Sequence, residues 1–248
     1  MKAVITDLDR TLLRTDKSLS EYTVDVFRRC RNKGIAILAA TARPERSIVS
    51  YYEQIHFDAV VTMNGARILL PDKVLENGIP HLSGKSILSK LMTVPEVVIS
   101  IETSDGLYSN VDIPEWTPIV YDGFPNLPTQ GILYKILASS THDIIFQSIN
   151  EALTDDTYYT IANNNLIQVM GKKATKWNGI QEMLKALNIT KEETVYFGDD
   201  NDDIEPIKMC GMGVVVSNAI EAVLKEADYV TDSNDEDGVA RFVEKRFL

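Results

Sequence analysis

Short apolar runs alternate with amphipathic stretches along the N-terminal third of the chain. Lys2–Thr6 (KAVIT) is short and largely apolar, the pattern of a strand buried on both faces. Ser18 and Glu21 have the spacing of a capping box. Val24, Phe27 and Cys30 follow at helical intervals, until Gly34 can end the helix. Ile35–Ala40 and Ala59–Thr62 are two further apolar runs. Between them Pro44 suits a first helical turn, and Ile48, Val49, Tyr52 and Ile55 repeat along one face. Strand, helix, strand, helix, strand predicts a parallel sheet with covering helices.

From about Ser83 to Val169 the rhythm changes. A helical stretch (Lys85–Met92) precedes two runs, Val97–Thr103 and Leu107–Val111, which flank the hairpin signal Asp105-Gly106. Ile132–Ala138 reads as a strand and His142–Leu153 as a helix, and Thr157–Ala162 and Leu166–Val169 flank the turn Asn163-Asn164-Asn165. The α/β rhythm then resumes. Trp177, Ile180, Leu184 and Leu187 share a helical face, and Thr194–Phe197 and Val214–Val216 read as strands. Asn218 can cap a helix carrying Ile220, Val223, Leu224 and Ala227. The expected fold is α/β: a Rossmann-like parallel-sheet core, residues 1–82 and 170–248, with an α+β cap, residues 83–169, inserted in its middle.

Composition narrows the function classes. The chain has 248 residues, and 36 acidic against 25 basic side chains give a formal charge of −11. Such a surface repels phosphate backbones and anionic lipid, so neither nucleic acid nor a membrane is an expected partner. No apolar run approaches the roughly 20 residues that span a bilayer, and the residues before Asp7 are too few for a signal-peptide core. Cys30 and Cys210 stand far apart, with no zinc or disulfide spacing, and are expected as buried thiols. A cytoplasmic protein, monomeric or weakly dimeric, is expected.

Four polar elements fall after strands or at helix starts of the alternating pattern. Asp7-Leu8-Asp9-Arg10-Thr11 follows the first strand, where a carboxylate sits on a rigid element at the sheet's ligand-binding edge. Ala40-Thr41-Ala42-Arg43-Pro44 follows the second, with Thr41 placed either to help a helix start hold an anion or to cap the helix. Lys176 opens a helix, a position unfavourable for a cation unless an anion faces it. Gly198-Asp199-Asp200-Asn201-Asp202-Asp203 crowds carboxylates that repel one another without a cation, and hard oxygen donors with no nearby His or Cys select Mg²⁺. Elements spread along one sheet in this way can converge on one edge.

DLDRTLL, ATARP, a lysine before a helix and GDDNDD, in this order, resemble the four motifs of the haloacid dehalogenase superfamily of phosphohydrolases. The tail from Gly213 and the run Asn64-Gly65-Ala66 are similar to the Cof-type branch, whose cap lies between the second and third motifs. The resemblance implies a Mg²⁺-dependent phosphatase of small phosphorylated metabolites, sugar phosphates above all. It implies Asp7 as the nucleophile that becomes an aspartyl-phosphate, and Asp9 as the acid and base. Thr11, Thr41, the backbone of Ala42 and Lys176 would bind phosphate. The metal would be held by Asp7, the backbone carbonyl of Asp9, Asp199 and Asp203, the last directly or through water. Three positions depart from the family pattern: Arg10 and Ala42 replace glycines, and Asp202 replaces an asparagine whose amide Asn201 could supply if the turn shifts by one residue. The same aspartyl-phosphate could serve a phosphomutase-like transferase, and a non-catalytic phosphometabolite-binding regulator is the alternative outside enzymes. The aromatic stretch Ile113–Pro128, with Trp116, Tyr121 and Phe124, is either a substrate-sorting loop or a connector packed on the cap sheet.

Overall fold

The computed structural model describes residues 1–162 and 166–248, so the expected Asn163-Asn164-Asn165 turn lies outside the described residues. The chain divides into two compact units, Met1–Glu76 with Thr175–Leu248, and Asn77–Ala174. Along the chain the first unit begins with β1 (Ala3–Thr6), α1 (Glu21–Asn32), β2 (Ala36–Ala40), α2 (Val49–Tyr52), β3 (Ala59–Thr62), β4 (Arg67–Leu69) and β5 (Val74–Glu76). The second unit holds α3 (His81–Leu91), β6 (Val98–Thr103), β7 (Gly106–Ser109), β8 (Ile119–Val120), β9 (Leu133–Ser139), α4 (Ile144–Ala152), β10 (Thr157–Ala162) and β11 (Leu166–Gly171). The first unit then resumes with α5 (Lys176–Leu187), β12 (Thr194–Gly198), α6 (Ile204–Met209), β13 (Met212–Val216), α7 (Glu221–Leu224), β14 (Tyr229–Thr231) and α8 (Gly238–Phe247).

The first unit's sheet runs β14-β13-β12-β1-β2-β3-β4-β5. It is parallel from β14 to β3, and β4 and β5 extend it antiparallel. Helices cover both faces, which is why β1 is apolar without alternation. Val4 faces a core with Phe27, Ile37, Phe197 and Val243, while Ile5 faces one with Leu38, Ile180, Met183 and Tyr196. From β1 the chain moves to β2 on one side, and it returns through β12 on the other. The crevice beyond the carboxyl ends of β1 and β12 is therefore a topological switch point, where open α/β sheets bind ligands. Register fixes what meets there: Thr6 pairs with Phe197 and with Ala39, so Asp7, Gly198 and Ala40 come next at one level.

The second unit is a mixed sheet in the order β10-β11-β9-β6-β7-β8, antiparallel except for β7 with β8. Ile87, Leu88 and Leu91 of α3 and Ile145 and Ile149 of α4 pack with Ile99, Ile101, Ile136 and Ile167 on one face. Ile79 belongs to this core and β11 runs through Gly171. The units thus meet in sequence at 76/77 and 174/175, where the pattern had suggested 82/83 and 169/170. In the stretch after Ile113, Phe124 is buried edge-on against Tyr121, whereas Trp116 is partly exposed. Among the described residues no helix is long and apolar enough to cross a membrane.

Several local expectations are corrected. The cap of α1 is Ser20, which accepts from the Thr23 amide, while the Ser18 amide and hydroxyl both donate to Asp16 Oδ1. Pro44 opens only a short 3₁₀ turn (Glu45–Ser47) before α2, and Val49, expected on the apolar face, is exposed. Asn218 does not cap α7, which begins after Ile220; its amide donates to the Arg10 carbonyl. Asn218 thus enters a tertiary contact in place of the local cap that its spacing suggests.

Candidate active site

Asp7 lies one residue past β1, and its amide donates to the Phe197 carbonyl of β12, which continues the ladder and pins its backbone. Thr175 caps α5, and Lys176 is the helix's first residue. The Lys176 ammonium is buried and donates to Asp7 Oδ1 at 2.9 Å and to Asp203 Oδ1 at 2.6 Å. The anionic partner that an N-terminal lysine requires is thus a pair of aspartates from two other segments.

Asp203 is saturated. Its Oδ1 accepts from Lys176 and, at 2.5 Å, from the Tyr196 hydroxyl, and its Oδ2 accepts from the Asp199 and Asp200 amides at 2.9 and 3.0 Å. A carboxylate has about four acceptor positions, and all are taken. Gly198 makes this closeness feasible, because a Cβ there would meet the Asp203 Cβ and Cγ at 2.5 Å. Asp199 Oδ1 accepts from the Thr11 hydroxyl at 2.6 Å, and its Oδ2 faces the Arg10 Nε at 3.9 Å. Thr11, expected at phosphate, therefore directs its proton to a carboxylate. Among the described residues the hydrogen bond to the Asp7 carboxylate falls on Oδ1, from Lys176.

Oxygens of Asp7, Asp199 and Asp203 all lie within 4.8 Å of one another, and all three side chains are buried. Three carboxylates around one ammonium carry surplus negative charge, and the proton affinities register it. Burial, opposed by Lys176 and reinforced by Asp203 and Asp199, raises the Asp7 carboxyl well above its ordinary value. Burial and Asp203 push Asp199 up to about 6, against the Thr11 hydrogen bond and the charges of Lys176 and Arg10. Burial would lower Lys176, but Asp203, Asp7 and Asp202 outweigh it and raise it. A divalent cation fits this donor set: it matches the surplus charge, the donors are hard oxygens, and the hydrogen bonds to the Asp7 and Asp199 carboxylates fall on Oδ1 of each.

Asp9 has a different environment. Arg43 grips it as a fork, Nε to Oδ2 at 2.5 Å and Nη2 to Oδ1 at 2.6 Å, and Lys17 Nζ reaches Oδ1 at 2.7 Å. Burial raises its carboxyl, but the Arg43 and Lys17 hydrogen bonds and charges prevail and leave it lowered. Thr41 is buried at the end of β2; its hydroxyl accepts from the Arg43 amide at 3.2 Å and its carbonyl from the Asn64 amide at 3.0 Å. It shapes a turn, because no regular helix follows to be capped. Ala42 is half-buried in the same loop.

The departures from the family pattern acquire physical meaning. Arg10 has φ of 58°, a left-handed conformation in which glycine carries no Cβ penalty. Its guanidinium donates to the Asn218 carbonyl at 3.2 Å. Asp202 Oδ2 accepts from the buried Asn64 amide at 2.5 Å, and Asn201 turns its amide to Asp200 at 3.3 Å. The Arg43 and Lys17 grip on Asp9 and the Asn64 contact with Asp202 have no signature in local spacing; the only sequence hints were that Arg43 and Asn64 sit in the motif segments ATARP and NGA.

The haloacid dehalogenase-like hydrolase family matches residues 4–243. The chain belongs to this family, in its Cof-type phosphatase branch. The 5-amino-6-(5-phospho-D-ribitylamino)uracil phosphatase YitU of Bacillus subtilis is 26% identical over 259 residues, covering 97% of this chain and 96% of its own. Two solved structures share the fold. A haloacid dehalogenase-like hydrolase from Bacteroides thetaiotaomicron superposes with a TM-score of 0.86 at 23% identity, covering 99% of both chains. A sugar phosphatase of subclass IIB gives 0.80 at 24% identity, covering 99% of this chain and 98% of the other.

Proposed function

We propose that this phosphatase hydrolyses monoesters of small phosphorylated metabolites through an aspartyl-phosphate on Asp7, with Mg²⁺ as its ion. The observation that carries the reading is the buried cluster of Asp7, Asp199 and Asp203 around Lys176. Asp7 and Asp199 carboxylates and the Asp9 carbonyl would hold the ion. Saturated Asp203 orients Lys176 and the 199–200 backbone, and would act on the ion directly or through water. The ion supplies charge neutralisation between an anionic nucleophile and a dianionic phosphate.

The rest is work for the protein's own groups. A carboxylate oxygen of Asp7 attacks phosphorus, and the P–O bond to the alcohol breaks as its electrons leave on oxygen. Asp9 gives a proton to that oxygen, acting from the minor protonated form that the Arg43 and Lys17 contacts disfavour, and later takes one from the water that attacks the phosphorylated Asp7. Lys176 offsets charge on Asp7 throughout, while the Thr41 hydroxyl and the backbone of Ala42 would bind phosphoryl oxygens. Phosphorylated polyols and sugars are the substrate class: the Bacillus relative is named for a phosphoribityl compound and a structural neighbour is a sugar phosphatase. A panel of phosphate esters assayed with Mg²⁺ and with chelator tests this. Turnover is expected only with the ion, and Asp7→Asn is expected to lower it at least about 10³-fold. Turnover that survives chelation or that substitution overturns the mechanism, and an isomerised sugar bisphosphate would point to a mutase.

A further inference from the structure

Asp7 and Asp9 are held in different ways. Asp7 is one step past β1 with its amide in the ladder. Asp9 lies in the loop beyond, and no backbone amide of the described residues donates to its carboxylate, whose partners are Arg43 and Lys17. Any orientation of Asp9 therefore has to come from those side chains.

Arg43 is itself braced. Its amide donates to Thr41 Oγ1, and its carbonyl accepts from the Met63 amide at 2.9 Å. Its guanidinium lies 5.9 Å from the centre of the Tyr51 ring, and the Tyr51 hydroxyl donates to the Lys17 carbonyl at 3.0 Å. Tyr51 thus links the two cations that hold Asp9. A planar fork fixes both oxygens of a carboxylate, which a point charge such as lysine does not. Proton transfer is steep in such geometry, since a misplacement of about 1 Å costs roughly 10²-fold.

We propose that Arg43 is a positioning residue: its fork sets the plane of the Asp9 carboxylate for both proton transfers, and Tyr51 and Lys17 brace it. This rests on the reading of Asp9 as acid and base given above. Lys17 touches one oxygen only and is about half exposed, so it is the minor partner.

The test compares Arg43→Met, Arg43→Lys, Asp9→Asn and the Asp9→Asn/Arg43→Met double variant. Two substrates are used with Mg²⁺: p-nitrophenyl phosphate, whose leaving group needs little protonation, and glycerol phosphate, whose leaving group does. Phosphorylation of Asp7 is followed by acid quench and mass spectrometry. Expected for both Arg43 variants is a loss of about 10- to 100-fold in kcat on glycerol phosphate with little change in KM, and near-parental Asp7 phosphorylation by the aryl ester. The phosphorylated form should then accumulate, because its hydrolysis also needs Asp9. In the Asp9→Asn background Arg43→Met should add almost nothing. Equal losses in the rate of Asp7 phosphorylation by the two substrates, full rescue by Arg43→Lys, or losses that multiply in the double variant overturn the positioning role while leaving the Asp7 mechanism standing. An unmodified protein that never phosphorylates Asp7 overturns both.

Discussion

Asp7 and Asp9 are two residues apart and are titrated in opposite directions by their surroundings. Asp7 shares one buried ammonium with Asp203, with Asp199 close by, so negative charge is in surplus and its carboxyl is raised. Asp9 stands alone between a guanidinium and an ammonium, and its carboxyl is lowered. Like residues in one motif thus serve different ends: the first site calls for a cation, and the second already has more than it needs.

The contrast breaks most severely at Lys176. Lys176→Met leaves Asp7 and Asp203 buried without their cation and should cost about 3–5 kcal/mol in denaturant unfolding. A loss below about 1 kcal/mol, within the range of exposed ion pairs, would mean the cluster is not the charged network described. Next comes Gly198→Ala. Its Cβ would drive into Asp203, which four hydrogen bonds prevent from giving way. A cost of about 1–3 kcal/mol is expected, as for overpacking elsewhere, together with weaker metal binding.

A pH series sharpens the same point. Asp199 at about 6, and Asp7 raised likewise, bind protons more tightly in the folded than in the unfolded chain. Stability of the metal-free protein at these groups should therefore rise as pH falls through about 6 toward ordinary carboxylate values. Thermal melts in chelator check this, and Mg²⁺ should flatten the trend because it competes with those protons. The smallest effect is expected at Lys17. Lys17→Met removes a half-exposed ion pair to Asp9 and should change stability by less than about 1 kcal/mol in the same unfolding assay.

The sheet and the buried cluster were legible in sequence for one reason. β1, β3 and β12 are unbroken apolar runs, and Asp7, Asp199 and Lys176 follow strands or open a helix, so position along the chain implies position on the sheet edge. Where that link fails, reading fails. β5 and β14 at the sheet's edges and β4 beside β5 are short, partly exposed strands with little apolar pattern. The Asp9 grip joins Lys17 and Arg43 across loops, and the Thr11 hydroxyl finds Asp199 from the far end of the sequence. Such contacts leave no periodicity to read. The left-handed φ of Arg10 was equally hidden, since the residue there is not the glycine that would announce it.

Calorimetric titration of Mg²⁺ into the unmodified protein and Asp199→Asn tests the central claim most directly. One ion per chain should bind to the former near neutral pH, more weakly below pH about 6, and saturable binding should vanish in the variant. Unchanged binding to Asp199→Asn, or none to the unmodified chain, would contradict a cation held between Asp7 and Asp199.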